Sequence, residues 1–378
     1  MDKLHINTKA VRAAQPKHED IRPVAMPIYL STTYERQDDG NYSSGYVYAR
    51  NANPNRSVLE EAMAQLEGGE VAFAFSSGMA AIAAVMQSLS AGDHILLPDD
   101  VYFKLLSLLQ DVMERWELTY TLVDMTDVAA IKAALRANTK LVWLETPSNP
   151  MLKITDIAAV AEAVGDQCLL AVDNTWATPV LLNPLELGAD VVVHSTTKYI
   201  NGHSDVLGGV VVCKEEGVLS HKISQVQVAM GAVPSAFDSW LISRGIQTLP
   251  LRVKAQSQSA MSIARHLSTH PAVSKVHYPG LAAHIGHRIA AEQMKGLYGA
   301  MLSIEVAGDE ARSRQVCNSL QLFTQATSLG GVESLVEHRR SVEGPTSNTP
   351  STLLRLSIGL EHAEDLIQDL DQALNMEA

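Results

Sequence analysis

Only three cysteines occur in 378 residues, Cys168, Cys213 and Cys317. They form no C-x-x-C pair, no zinc-ligand spacing and no disulfide framework, which points to a reducing compartment. Long runs of one charge are missing too. The balance of 29 Lys plus Arg against 42 Asp plus Glu, a net charge of −13, argues against a nucleic-acid partner. The first twenty residues contain no apolar h-region, so no signal peptide is read there. One stretch, 71–92, is free of charge and long enough to cross a bilayer. Ser76, Ser77 and Gly78 interrupt it, and a strand, turn and helix buried in a cytoplasmic protein fit better than a membrane span. No G-x-G-x-x-G, P-loop or G-x-S-x-G is present, which counts against nucleotide and serine-hydrolase chemistry. No internal repeat or low-complexity tract occurs.

Hydrophobic residues make up 46% and charged residues 19%. That supplies a sizeable core and, at roughly 100–200 residues per unit, two or three structural units. Residues 1–49 carry Pro16, Pro23, Pro27 and a Gly/Ser/Tyr cluster with little periodicity, and read as an extended arm that needs something to pack on. Ser57–Leu66 reads as a helix with Ser57 and Glu60 at capping-box spacing. From there to Lys214, short apolar runs alternate with helical segments, among them Tyr102–Trp116, Val128–Leu135 and Ile154–Val164. The runs are Val71–Phe75, His94–Leu97, Leu118–Val123, Leu141–Leu144, Leu169–Val172, Val191–Val193 and Val210–Cys213. Strands apolar at nearly every position suit a parallel α/β sheet covered on both faces. Beyond about Thr248 a smaller α+β unit is expected, with helices over Val253–Ser268, Ala311–Ser319 and Ala363–Leu374 and strands at Leu302–Val306 and Leu353–Ile358. The expected division is an arm, 1–49, a large domain, 50–248, and a C-terminal domain, 249–378.

In such a sheet, chemistry gathers outside the carboxyl ends of the strands. After Val71–Phe75, Ser77-Gly78-Met79 opens a helix, where exposed backbone N–H groups suit a phosphate. After Leu141–Leu144, two prolines restrict the loop that carries Asn149. Asp173 ends an apolar strand, which is costly without a cationic partner. Lys198 follows Val191–Val193 with Ser195 and Thr197 beside it. Alone, Lys198 reads as a solvated surface lysine. Paired with Asp173 it suits pyridoxal 5′-phosphate (PLP). The lysine forms the Schiff base, the aspartate pairs with the pyridine nitrogen, and Ser195 and Thr197 add hydroxyls to a phosphate at Gly78-Met79. His277, His284 and His287 match no zinc spacing and read as a solvated loop, so no metal is expected. His203 and Asp205 read as loop-shaping.

The blocks Tyr48-Ala-Arg50…Asn53-Pro54, Ser77-Gly78-Met79, Asp100-Val-Tyr102, Glu145-Thr-Pro-Ser-Asn149-Pro150, Val172-Asp173-Asn174-Thr175 and Ser195-Thr-Thr-Lys198 through Asp205 resemble those of the Cys/Met-metabolism PLP enzymes. This trans-sulfuration group includes cystathionine γ-synthase, cystathionine γ- and β-lyase and methionine γ-lyase. The resemblance runs on through Ser328-Leu-Gly-Gly331 and Leu354-Arg355-Leu-Ser-Ile-Gly359. It implies PLP fold type I, the aminotransferase-like fold, in a homotetramer built as a dimer of close dimers. Tyr48 and Arg50 would then reach the cofactor phosphate of the neighbouring subunit. Tyr102 would stack on the PLP ring and assist proton transfer, and Asn149 would contact its 3′-oxygen. Arg355 would clamp the substrate α-carboxylate, and Ser328 would orient Lys198.

Departures from the family bear on the substrate. Val47, Ser107 and Thr327 stand where charged residues serve the far end of cystathionine, Phe103-Lys104 follows the stacking tyrosine, and His338–Pro345 replaces the family's Met-Thr-His segment. Cystathionine therefore fits less well than a methionine-, O-acylhomoserine- or canavanine-like amino acid. The reaction expected is α,γ-elimination through a vinylglycine-type intermediate, with Lys198 as base. The alternatives are γ-replacement of the cystathionine γ-synthase type, cystathionine γ-lyase activity, and a PLP-binding regulatory protein with vestigial chemistry.

Overall fold

The computed structural model describes residues 4–15, 23–344 and 348–376. Pro16 of the arm and Pro345 lie outside them. Seven strands form the larger sheet: β1 (Val71–Phe75), β2 (His94–Pro98), β3 (Thr119–Val123), β4 (Thr139–Glu145), β5 (Leu169–Asp173), β6 (Val191–His194) and β7 (Gly209–Cys213). Their spatial order is β1-β7-β6-β5-β4-β2-β3, and β7 alone runs against the others. Five strands form the smaller sheet: β8 (Val273–His277), β9 (Met301–Val306), β10 (Thr324–Gln325), β11 (Leu335–His338) and β12 (Leu353–Ser357), in the order β10-β11-β12-β9-β8. All its pairings are antiparallel except β10 with β11.

The apolar runs of the larger sheet pack on both faces, as their composition requires. Ala74, Leu96, Val142, Leu144, Val172, Val192 and Val212 enter the core that continues into the smaller sheet. Their neighbours Phe75, Ile95, Leu141, Trp143, Ala171, Val193 and Val211 fill a second core on the opposite face. Trp143 is fully buried, so its truncation to alanine costs about 3–5 kcal/mol. The charge-free stretch from Val71 divides into β1 and the helix Gly78–Gln87. No helix among the described residues is long and apolar enough to cross a membrane.

Several segments differ from the sequence reading. The arm contains a helix, Ile6–Ala13, whose Ala10 and Ala13 are buried in the main core. The next helix starts at Pro54, with Asn53 as its N-cap accepting from Asn55 N at 2.9 Å. Asn before Pro is the stronger start signal, so Ser57 and Glu60 fall inside the helix and make no capping box. Glu60 instead accepts from Ala74 N and Gln227 Nε2, both at 2.8 Å. The expected helix Tyr102–Trp116 breaks into an α-turn (Phe103–Ser107), a π-turn (Leu108–Val112) and a 3₁₀ turn (Glu114–Trp116). No side chain caps these segments, and Ser107 Oγ bonds back to the Phe103 carbonyl at 3.3 Å. Helices Val218–Met230 and Ala236–Ile246 and strands β8, β10 and β11 carry no clear signal of their own. His277 is not in a solvated loop: it is buried on β8 and bonds Glu305 Oε1 at 2.7 Å. No metal-binding cluster occurs among the described residues.

Candidate active site

The parallel strands send their carboxyl ends to one edge of the larger sheet, where the segments following β1, β4, β5 and β6 meet. That edge and the smaller sheet enclose a cavity of about 420 Å³. Ser77 caps the helix Gly78–Gln87, its Oγ accepting from Ala80 N at 3.1 Å. A Cβ on Gly78 would sit 2.8 Å from Ser195 Cβ, and one on Gly209 would sit 2.3 Å from the Ser77 carbonyl oxygen. Glycine at both positions lets the helix start lie flush against Ser195 and leaves the first N–H groups free for an anion. Thr197 also lines the cavity, but its hydroxyl is bonded to Gly208 N at 3.0 Å and to Gly208 O at 3.2 Å, which ties it to the following turn.

Lys198 Nζ donates to Ser328 Oγ at 2.6 Å. Burial, helped by the positive charge of Arg355, pulls the lysine pKa down to about 8. A substantial neutral fraction at physiological pH is the state a nucleophilic amine needs. Ser328 holds a φ of 87°, in the left-handed region that non-glycine residues rarely adopt. That conformation presents its hydroxyl to Lys198 and its carbonyl to Arg355 Nη2 at 3.0 Å.

Asp173 reaches the cavity from the end of β5 and accepts from Thr175 N at 2.9 Å. Burial raises its pKa, and no lysine or arginine among the described residues forms a salt bridge with it. Tyr102 and Asn149 stand on the wall. The loop bearing Asn149 has cis peptides before Pro147 and Pro150. Asn149 Oδ1 accepts from Arg355 Nη1 at 3.1 Å. Of the sequence-predicted residues, Ser77, Gly78, Met79, Tyr102, Asn149, Asp173, Ser195, Thr197, Lys198, Ser328 and Arg355 therefore share one cavity.

Tyr48 and Arg50 do not line it. Both are exposed, with the Arg50 guanidinium carbon 5.5 Å from the Tyr48 ring centroid. The buried Arg56 holds their turn by donating to the Ala49 carbonyl at 2.8 Å and the Arg50 carbonyl at 3.2 Å. Of the three uncharged substitutions, only Thr327 is on the cavity wall.

The model of the Cys/Met metabolism PLP-dependent enzymes matches residues 7–375. The chain belongs to this family. Cystathionine γ-synthase of Mycobacterium tuberculosis is 44% identical over 97% of this chain and 96% of its own length. Cystathionine β-lyase of Coxiella burnetii is 42% identical over 98% of each. The crystal structure of metB from Corynebacterium glutamicum superposes with a TM-score of 0.95 at 43% identity, covering 99% of this chain and 98% of that one. That of cystathionine γ-lyase from Lactobacillus plantarum, complexed with L-serine, gives 0.93 at 39% identity, covering 98% of both.

This trans-sulfuration enzyme uses PLP, and its residues fit the cofactor on two observations. Asp173 is a desolvated carboxyl group with no lysine or arginine partner among the described residues, and a protonated pyridine nitrogen would supply the cation. The glycine-lined helix start beside Ser195 accommodates a phosphate.

Sequence reasoning missed the charges behind the substrate wall. Glu145 accepts from Tyr102 N at 3.0 Å and Trp143 Nε1 at 3.3 Å, and burial next to Asp173 holds its pKa well above the carboxylate range. Glu337 Oε2 forms an ion pair with Arg355, 2.7 Å from its Nη2, and accepts from Arg339 Nη1 at 2.9 Å. Arg339 also donates from Nε to Glu343 Oε1 at 2.7 Å. Val47, Ser107 and Thr327 supply no charge, but the short helix Arg339–Glu343 places Arg339 on the cavity lining. The sequence offers only a weak hint: Glu337 and Arg339 are separated by two positions, as are residues on one face of a strand.

Proposed function

We propose that this chain catalyses α,γ-elimination of an L-amino acid with a heteroatom substituent on Cγ, consuming one water and releasing the protonated γ-substituent, a 2-oxo acid and ammonia. The observation that carries the reading is Lys198, half-buried and bonded to Ser328 with its pKa lowered to about 8, with Asp173 and Arg355 in the same cavity. Lys198 would hold PLP as a Schiff base. Ser77, Gly78, Met79, Ser195 and Thr197 would bind the phosphate, Asp173 the pyridine nitrogen, Asn149 the 3′-oxygen and Tyr102 the ring face. PLP supplies the electron sink that makes a proton on the substrate's Cα acidic.

Arg355 takes the α-carboxylate in a bidentate fork, while Asn149 and the Ser328 carbonyl fix the guanidinium plane. Substrate binding frees the Lys198 amine. Ser328 orients that amine as it removes the Cα proton and then a Cβ proton, and the γ-substituent departs. Tyr102 assists these transfers. The phenol is held neutral, because burial raises its pKa. Tyr48 and Arg50 complete the neighbouring subunit's phosphate site, in a homotetramer of close dimers. Their exposure and rigid support favour that role over one in their own cavity.

The similarity to proteins named cystathionine γ-synthase favours a second reading, γ-replacement, which differs in whether a thiol captures the intermediate. A panel of γ-substituted amino acids, assayed with and without a thiol acceptor for 2-oxo acid and replacement product, tests both. Absence of 2-oxo acid from every member overturns elimination.

A further inference from the structure

We infer that Arg339 is a specificity-determining residue that receives a carboxylate at the far end of the γ-substituent. The inference rests on the reading above, in which Arg355 holds the α-carboxylate of the same substrate.

Arg339 is 4% exposed, yet it lines the cavity together with Phe103 and Arg355. Two of its nitrogens are committed: Nε to Glu343 and Nη1 to Glu337. Nη2 has no acceptor among the described residues. Its guanidinium carbon lies 5.9 Å from the Phe103 ring centroid, so an aromatic face borders the fork. A nearly buried donor with an unused N–H edge on a cavity wall is a built acceptor site.

Its charge chemistry selects the ligand. Arg339 and Arg355 bring positive charge to the cavity, and among the described residues the only carboxyl side chains on its lining are Asp173 and Glu145. Asp173 is reserved for the pyridine nitrogen, and Glu145 is held by Tyr102 N and the Trp143 indole. A cationic γ-substituent such as a guanidinooxy group would meet an arginine and no available acid. A thioether would leave the Nη2 donors unsatisfied. A carboxylate-terminated substituent satisfies them with charge-assisted bonds. Glu337 Oε2 bridges Arg339 and Arg355, so the two forks are fixed relative to one another and measure the distance between the substrate's two carboxylates.

The test uses amino acids without a leaving group, so that binding is read separately from turnover. L-2-aminoadipate, L-2-aminopimelate and L-2-aminosuberate are titrated into the holoenzyme against the ω-amide of each, by calorimetry and by the change in cofactor absorbance. The best-fitting acid should bind roughly 10- to 100-fold more tightly than its amide. Arg339→Gln should abolish that gap, and Arg339→Lys, which keeps the charge but loses the fork, should narrow it. Equal binding of acid and amide by the wild type overturns the inference, as does a gap that survives Arg339→Gln. If Arg339→Gln does not fold, an unchanged gap in Arg339→Lys overturns it. A parallel elimination assay with O-succinyl- and O-acetyl-L-homoserine separates the two claims. Turnover without an acid–amide gap sinks the Arg339 assignment alone, whereas a gap without turnover sinks the elimination reading alone.

Discussion

The two sheets supply the cavity by different means. The larger sheet contributes residues from the turns beyond its strand ends: Ser77 to Met79 after β1, Asn149 after β4 and Ser195 to Lys198 after β6. Asp173 is the last residue of β5. The smaller sheet contributes ions from strand interiors. Arg355 is the middle residue of β12, and Glu337 lies across from it on β11. Turns can be spelled locally by glycine, serine and proline. A charge in mid-strand survives burial only through a partner on another strand. Substitutions in the turns beyond the first sheet's strand ends should therefore remove cofactor or chemistry and spare the fold. Damage to the second should cost substrate binding and stability together.

The largest effect expected is on the first side. Lys198→Ala should lose the yellow colour of the bound cofactor and essentially all turnover while keeping a wild-type circular dichroism spectrum. A colourless wild type that takes up no PLP would break the comparison at its root. Next in size is a gain from zero. Arg50→Ala and Lys198→Ala subunits, each inactive alone, should recover part of the wild-type turnover when mixed, because one hybrid site keeps both residues. No recovery despite verified subunit exchange would assign Arg50 to its own chain.

On the second side, Glu337→Ala should lower stability by about 3–5 kcal/mol, since it leaves the buried Arg355 without its carboxylate partner and takes one of two from Arg339. Chemical denaturation of the holoenzyme measures this. A loss below about 1 kcal/mol, the worth of an exposed pair, would show that water reaches these arginines and that the two sides do not differ as described.

The same contrast explains how much was legible in the sequence. The seven apolar runs became strands, and the residues after them met, because strand ends and turn residues are local signals. Lys198 and Asp173 were found together because each follows a buried strand in a parallel sheet. Arg339 was passed over because its significance depends on Glu337, Glu343 and Phe103, the last more than 200 positions away. The π-turn after Phe103 and the burial of His277 on β8 escaped for the same reason: packing partners decide both, and periodicity carries neither.

A smaller effect sharpens the chemistry of the first side. Lys198 has its pKa lowered from 10.5 to about 8 by burial. In the cofactor-free protein the unfolded chain binds more protons than the folded one between those values, so stability should rise with pH through that window. The rise should amount to about 3 kcal/mol at most, and Lys198→Met should flatten it. Cofactor uptake should quicken as pH rises toward about 8, in step with the neutral amine. A flat stability profile from pH 8 to 10.5 would mean that Lys198 is solvated before PLP binds.

The smallest effect concerns Glu145. Its pKa stands well above the ordinary glutamate value of 4.5, first because it is buried and then because Asp173 is near. A carboxyl with a raised folded pKa releases its proton more readily when unfolded, so it lowers stability as pH climbs above about 4.5. Glu145→Gln removes that ionisation and keeps an oxygen to accept from Tyr102 N. At pH 4 the variant should match the wild type within about 1 kcal/mol, the scale of one neutral hydrogen bond. At pH 7 to 8 it should be equally or more stable, and Tyr102 should keep its place over the cavity. Denaturation midpoints at the two pH values decide the matter. If Glu145→Gln loses ground as pH rises, the ionised carboxylate must hold the Tyr102 turn, and charge would matter on the first side as it does on the second.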